Sequence, residues 1–210
     1  VALGFDALGG EIGGQNNVAI GRSALESQQN GSGNIYNTAV GSKAGQSITT
    51  GVQNTFLGGL AGDAITDADR NVVVGYAALS TDVLGSRSTA IGYGALNEQN
   101  FTTATDTYNT AVGYNSGNRI TFGTVNTLIG GLAGDALTEG NNNVAVGYNA
   151  LTTDTKGDRN VSIGAGSLAT QNFTTSTDSY NVAVGHNALN ANETSDNLAI
   201  GLNSETFFRQ

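Results

Sequence analysis

Asn143-Val144-Ala145-Val146-Gly147-Tyr148-Asn149-Ala150-Leu151 decides the fold, because it is one copy of a unit that fills nearly the whole chain. Other copies read NVAIGRSAL (Asn17 to Leu25), NTAVGSKAG (Asn37 to Gly45), NVVVGYAAL (Asn71 to Leu79) and NVAVGHNAL (Asn181 to Leu189). A repeat of fixed period sets the architecture before any local propensity does. Taking its Gly as a marker, the unit recurs at Gly4, Gly21, Gly41, Gly58, Gly75, Gly92, Gly113, Gly130, Gly147, Gly164, Gly185 and Gly201. Most steps are 17 residues, and Gly41, Gly113 and Gly185 lie 72 apart, so four coils make a larger unit.

The chemistry is positional within the unit. The residue before the marker is always Val, Ile or Leu, and three before it stands mostly Val or Thr, with Ala usually between them. That alternation over so short a run predicts a three-residue strand, with the aliphatics and the Thr facing inward. Four before the marker stands Asn in every complete unit but one, where Ser88 replaces it. Asn suits a turn, and stacked amides can bond along a ladder, so an Asn column on an outside corner is expected. Three after the marker is always Ala or Ser, a tight packing position. One 17-residue coil buries too little to offset its own ordering. Its stability must come from coils above and below, with neighbouring chains as a candidate further source. The expected fold class is all-β: a parallel β-roll or β-solenoid with about one 17-residue repeat per coil over residues 1–204. Residues 205–210, with Phe207 and Phe208, are read as a cap or the start of a further segment.

Two departures from the plain unit recur. Enlarged turns run from Glu26 to Tyr36, Asn97 to Tyr108 and Ala169 to Tyr180, and are expected to stack on one side. They carry Tyr36, Phe101, Tyr108, Phe173 and Tyr180 beside Thr, Asn and Asp, which is what a sugar or protein receptor would meet. These five are the candidate receptor contacts, with packing of the turns themselves as the alternative role. The second departure is GGLAGDA, at Gly58 to Ala64 and Gly130 to Ala136. Here Phe56 or Leu128 replaces the small strand residue, and Gly59 or Gly131 stands where other coils have Tyr76, Tyr93, Tyr114 and Tyr148. Bulk lost at one place returning at another is what volume-conserving packing predicts.

Composition narrows the function. The chain has no Cys, Met, Trp or Pro and a net charge of −9. No basic stripe is available for nucleic acid, and no apolar run reaches membrane-spanning length. Lacking Met and starting inside a unit, the sequence is expected to be a piece of a longer chain. His186 is the lone His, one after its marker, with no nucleophile or carboxylate singled out beside it. Gly164, Gly166 and Ala169 fit a dinucleotide-loop spacing, but Gly164 is the repeat's own turn. Asp63, Asp67 and Asp69, or Asp154 and Asp158, could suggest calcium, yet carboxylates do not recur in every coil. Thr three before the marker, if inward, argues against ice binding. No enzyme activity, cofactor or metal is expected. A glycan-degrading β-helix enzyme would need paired carboxylates on one face.

The pattern N-[VT]-A-[VI]-G-x-x-[AS] resembles the head repeat of YadA-type trimeric autotransporter adhesins. The longer form, NTAVGYNSG and NVAVGYNAL separated by Thr/Asp/Gly-rich turns, looks even more like the repeat shafts of phage tail-fibre proteins. The resemblance covers almost the whole chain and implies a left-handed parallel β-roll in a homotrimer. It also implies a structural segment of a virion surface fibre, a rigid spacer with a candidate receptor or glycan contact. The alternative is the head of a bacterial trimeric adhesin at the cell surface.

Overall fold

In the computed structural model residues 1–205 are described; the sequence expectation for Phe207 and Phe208 lies outside them. The chain forms two compact units, Val1–Tyr108 and Asn109–Gln210, built on the same coil. In the first, Ala2–Leu3, Val18–Ile20, Thr38–Val40, Thr55–Leu57, Val72–Val74 and Thr89–Ile91 pair in sequence order, all parallel. In the second the order is Thr110–Val112, Thr127–Ile129, Val144–Val146, Val161–Ile163, Val182–Val184 and Leu198–Ile200, again all parallel. Register is strict: Thr127, Leu128 and Ile129 sit on Val144, Ala145 and Val146. One coil of a β-solenoid per repeat is the architecture, as the period predicts. Parallel pairing of neighbouring strands needs a long return path, and here the remaining residues of each coil supply it.

The marker Gly makes the corner. Gly113 has φ +142°, and a Cβ there would stand 2.4 Å from the carbonyl oxygen of Gly130 in the next coil. No side chain fits that approach, which is why the column admits only Gly.

The strand's phase is the reverse of the sequence expectation. The middle residue points inward: Ala19, Ala39, Phe56, Val73, Ala90, Ala111, Leu128, Ala145, Ser162 and Ala183 are all fully buried. The flanking aliphatics and the Thr residues point outward and are half-buried to exposed, as in Thr127-Leu128-Ile129. Coil width is the reason. Opposite the strand lie the buried Ala or Ser three after the marker and, in half of the coils, a buried Leu four after it, such as Leu25, Leu79, Leu96 and Leu151. Between them only a small side chain fits. Where Phe56 takes the strand position, the Leu is replaced: a Cβ on Gly62 would stand 2.3 Å from Cε1 of Phe56, and one on Gly45 2.7 Å from its Cδ2. Leu128 and Gly134 repeat the exchange. The expected compensation of volume is present, but it runs between Phe56 and the glycines at 45 and 62, not through Gly59.

The Asn column is also placed differently from the expectation of an outside corner. Asn37, Asn54, Asn71, Asn109, Asn126, Asn143, Asn160 and Asn181 are fully buried. Each amide reaches into the following coil. Asn126 Oδ1 accepts the backbone N–H of Asn143 at 3.0 Å, and its Nδ2 donates to the carbonyl of Gly140 at 2.8 Å. Asn37, Asn54 and Asn71 do the same in the first unit. A Thr or Ser hydroxyl is too short to do both, so the column is nearly all Asn. A buried backbone N–H of the following coil is satisfied at each of these Asn rungs.

Candidate functional site

Each enlarged turn is tethered by a carboxylate of the coil before it. Asp82 and Asp154, each fully buried, stand in the coil before the two larger ones and reach into them. Oδ1 of Asp154 accepts the backbone N–H of Gly157 in its own coil and of Phe173 in the next. Its Oδ2 accepts from Gln171 Nε2 at 2.5 Å. Asp82 repeats this with Gly85, Phe101 and Gln99. Glu11, half-buried in the coil before the first turn, accepts from the N–H groups of Gly13 and Gly14 in its own coil and from Gln28 in the next. All three carboxylates stand seven after a marker Gly, and each Gln 17 residues later. The same column holds Ile48, Ile65, Ile120 and Leu137 in the coils between, all buried. Two polar rungs thus alternate with two apolar rungs, which gives the four-coil period its physical basis.

Burial pushes the Asp82 carboxyl up; donation from Gln99 and the N–H groups of Phe101, Gly85 and Val83 offsets this only in part. Asp154 is raised for the same reason, against Gln171 and the N–H groups of Phe173, Gly157 and Lys156. Glu11 differs: burial pushes it up, but the bonds from Gln28 and from backbone N–H groups hold it below its usual value.

Of the five candidate contacts, the three Tyr present themselves and the Phe residues sit deeper. Phe101 is 7% exposed and Phe173 is half-buried. Tyr36, Tyr108 and Tyr180 are about half exposed. The Arg87 guanidinium lies over the Tyr108 ring, 5.7 Å from its centroid, and pairs with Asp106. Arg159, Tyr180 and Asp178 repeat the arrangement, with 5.6 Å to the centroid. The first turn carries a neutral version, in which Asn16 Nδ2 donates to Asn34 Oδ1 at the corresponding positions. A surface ion pair contributes about 0–1 kcal/mol and an exposed cation–π contact about 0.5–1 kcal/mol. Sequence reasoning found the Tyr and missed both Arg residues, which stand one coil earlier. Their own 72-residue spacing was the available signal.

A second surface follows from the reversed strand phase. The outward face of every strand is aliphatic or Thr, as at Leu57, 47% exposed, and Ile129, 40%. At the adjoining corner Tyr76, Tyr93, Tyr114 and Tyr148 are more than half exposed, and the rings of Tyr76 and Tyr93 stack at 5.8 Å and 17°. Thr38, Thr55, Thr89, Thr110 and Thr127 share this outward face with Val72, Val144, Val161 and Val182, so it is no continuous hydroxyl array. Within each unit the aliphatic residue before the marker Gly recurs on this face from coil to coil.

The other sequence candidates are dispersed. His186 is exposed. Thr50 donates to Asp67, and Asp69 accepts the N–H of Val52. Among the described residues no group of three or more His, Asp or Glu side chains is placed to hold a metal ion. No helix among them is long and apolar enough to cross a membrane. No protein family, curated protein or solved structure matches the chain.

Proposed function

We propose that this chain is a rigid segment of a self-associating surface fibre, with its outward strand faces packed together in a homotrimer and its enlarged turns left for receptor contact. The carrying observation is the apolar outward face on every coil. Such a face in water is costly, at about 25 cal/mol per Å² of apolar area. A partner that covers many coils must share their spacing, or the fit drifts out of step along the stack. A second and third copy of the same chain meet that condition without further design. Resemblance to phage tail-fibre shafts favours a virion fibre; a bacterial trimeric adhesin head is the second reading, favoured by the shorter adhesin motif embedded in the unit. Virion genes beside the full reading frame would select the first, a downstream coiled coil and membrane anchor the second.

The role is structural, not enzymatic, on this reading. Asp82 and Asp154 are committed to tethering turns, and Asp106 and Asp178 to Arg partners. Light scattering on the purified chain tests the proposal: a mass of three chains is expected, and a stably folded single chain at micromolar concentration rejects it.

A further inference from the structure

The corner five residues before the marker Gly is left-handed throughout. In the first unit φ is +64° at Asn16, +61° at Tyr36, +64° at Arg87 and +51° at Tyr108. In the second it is +58° at Asn142, +61° at Arg159 and +49° at Tyr180. Asn enters this region at little cost, whereas bulkier L residues pay for it. Asn16 and Asn142 show that the turn accepts the cheap residue. The turn itself therefore does not call for Arg or Tyr at 87, 108, 159 and 180. Gln53, Arg70 and Val125 hold the same corner at φ +61°, +59° and +59°, so bulk there is general; what sets 87, 108, 159 and 180 apart is that each Arg lies over the Tyr of the coil after it.

Each pair comes with a carboxylate, at Asp106 or Asp178. We infer that Arg87–Asp106–Tyr108 and Arg159–Asp178–Tyr180 are two copies of a saccharide-binding subsite that takes a neutral pyranose of a surface-displayed glycan. This rests on the reading of the enlarged turns as the contact surface. A pyranose has an apolar C–H face and a rim of hydroxyls. Each Tyr ring carries the guanidinium over part of it, and its exposed half offers the flat apolar partner. The carboxylate accepts from hydroxyls, and a guanidinium has five N–H donors, more than one carboxylate uses. Arg and Asp cancel within each subsite, while the chain carries −9 overall. That field repels anionic sugars and leaves neutral ones unaffected.

The test is saturation-transfer NMR on the assembled protein with methyl glycosides of glucose, galactose, mannose and N-acetylglucosamine, and N-acetylneuraminic acid as the anionic comparison. Transfer to the C–H protons of at least one neutral glycoside is expected. It should fall at least tenfold in Tyr108→Ala/Tyr180→Ala and persist in Arg87→Lys/Arg159→Lys at reduced strength, with the melting midpoint held. The same sugar displayed on a polymer should bind at least tenfold more tightly than the free glycoside, since each chain offers two subsites. No transfer to any neutral glycoside, undiminished transfer in the Tyr variants, or a preference for N-acetylneuraminate overturns the inference. So does a melting loss without transfer, which would make the cluster a brace, and equal affinity for free and displayed sugar overturns the glycan assignment. Sedimentation of the same samples separates the two readings: a single-chain mass with transfer intact sinks the fibre and spares the subsite.

Discussion

Gln171 donates to Asp154 through Nε2 while its Oε1 accepts from Asn181 Nδ2 at 2.8 Å, so one amide of an enlarged turn joins the buried carboxylate of the coil before it to the Asn ladder. Gln28 makes the same link between Glu11 and Asn37. Both ends of each Gln are therefore fixed in orientation. The enlarged turns are built into the interior hydrogen bonding of the coil, not hung on its surface.

A pH dependence follows from Asp82 and Asp154. Burial raises both carboxyls above 3.8. A group with a raised folded-state value favours the fold fully below its unfolded value, and that contribution is lost as pH rises through the folded value. From neutral pH down to about 4, unfolded Asp at ~3.9 still ionises while the folded groups begin to take up protons. The melting midpoint of the parent should therefore gain on that of Asp82→Asn/Asp154→Asn as pH falls. A parent that loses ground to the variant over this range contradicts the assignment.

The Asn ladder gives a sharper test. Asn126→Ala removes the acceptor for the N–H of Asn143 and the donor to Gly140. An orphaned buried donor costs about 1–3 kcal/mol. Asn126→Asp keeps an acceptor but loses the donor and buries a charge, and should be worse at neutral pH. Thermal denaturation should rank parent above Ala above Asp. Equal midpoints would mean that the amides bond to water.

Packing of the Phe56 coil predicts a rescue. Phe56→Ala should cost about 3–5 kcal/mol as a cavity. Gly62→Leu alone should also destabilise, because its Cβ meets the Phe56 ring at 2.3 Å. The double variant recreates the ordinary pairing of Ala90 with Leu96, both fully buried. Its denaturation midpoint should exceed both single variants. If it equals the sum of the two losses, the volume exchange is not what couples these positions.

Period, strand positions and the parallel solenoid were legible in the sequence, because they rest on spacing alone. Strand phase was not. Val144-Ala145-Val146 reads as two aliphatics inward around a spacer, since burying the larger side chains is the ordinary preference. The interior is instead closed by Leu151 and Ala150, and leaves room for Ala145 only. The exchange of Ala for Phe56 or Leu128, always with Gly four after the marker, was the available signal that this column faces in. The Asn column was recognised, but its depth was missed because an Asn at a turn usually means solvent. The carboxylate column was missed because Glu11, Asp82 and Asp154 look like scattered surface charge until set against Ile48, Ile65, Ile120 and Leu137.

The outward strand face can be challenged with charge. Val146 is half-buried and Ile163 is 39% exposed, and neither side chain points to the coil interior. Sedimentation equilibrium on Val146→Asp/Ile163→Asp, beside the parent, tests whether copies pack through this face. The account expects a three-chain mass for the parent and a single-chain mass for the variant, with the β-type circular dichroism retained. A parent that sediments as one folded chain, or a variant that stays assembled, would contradict it.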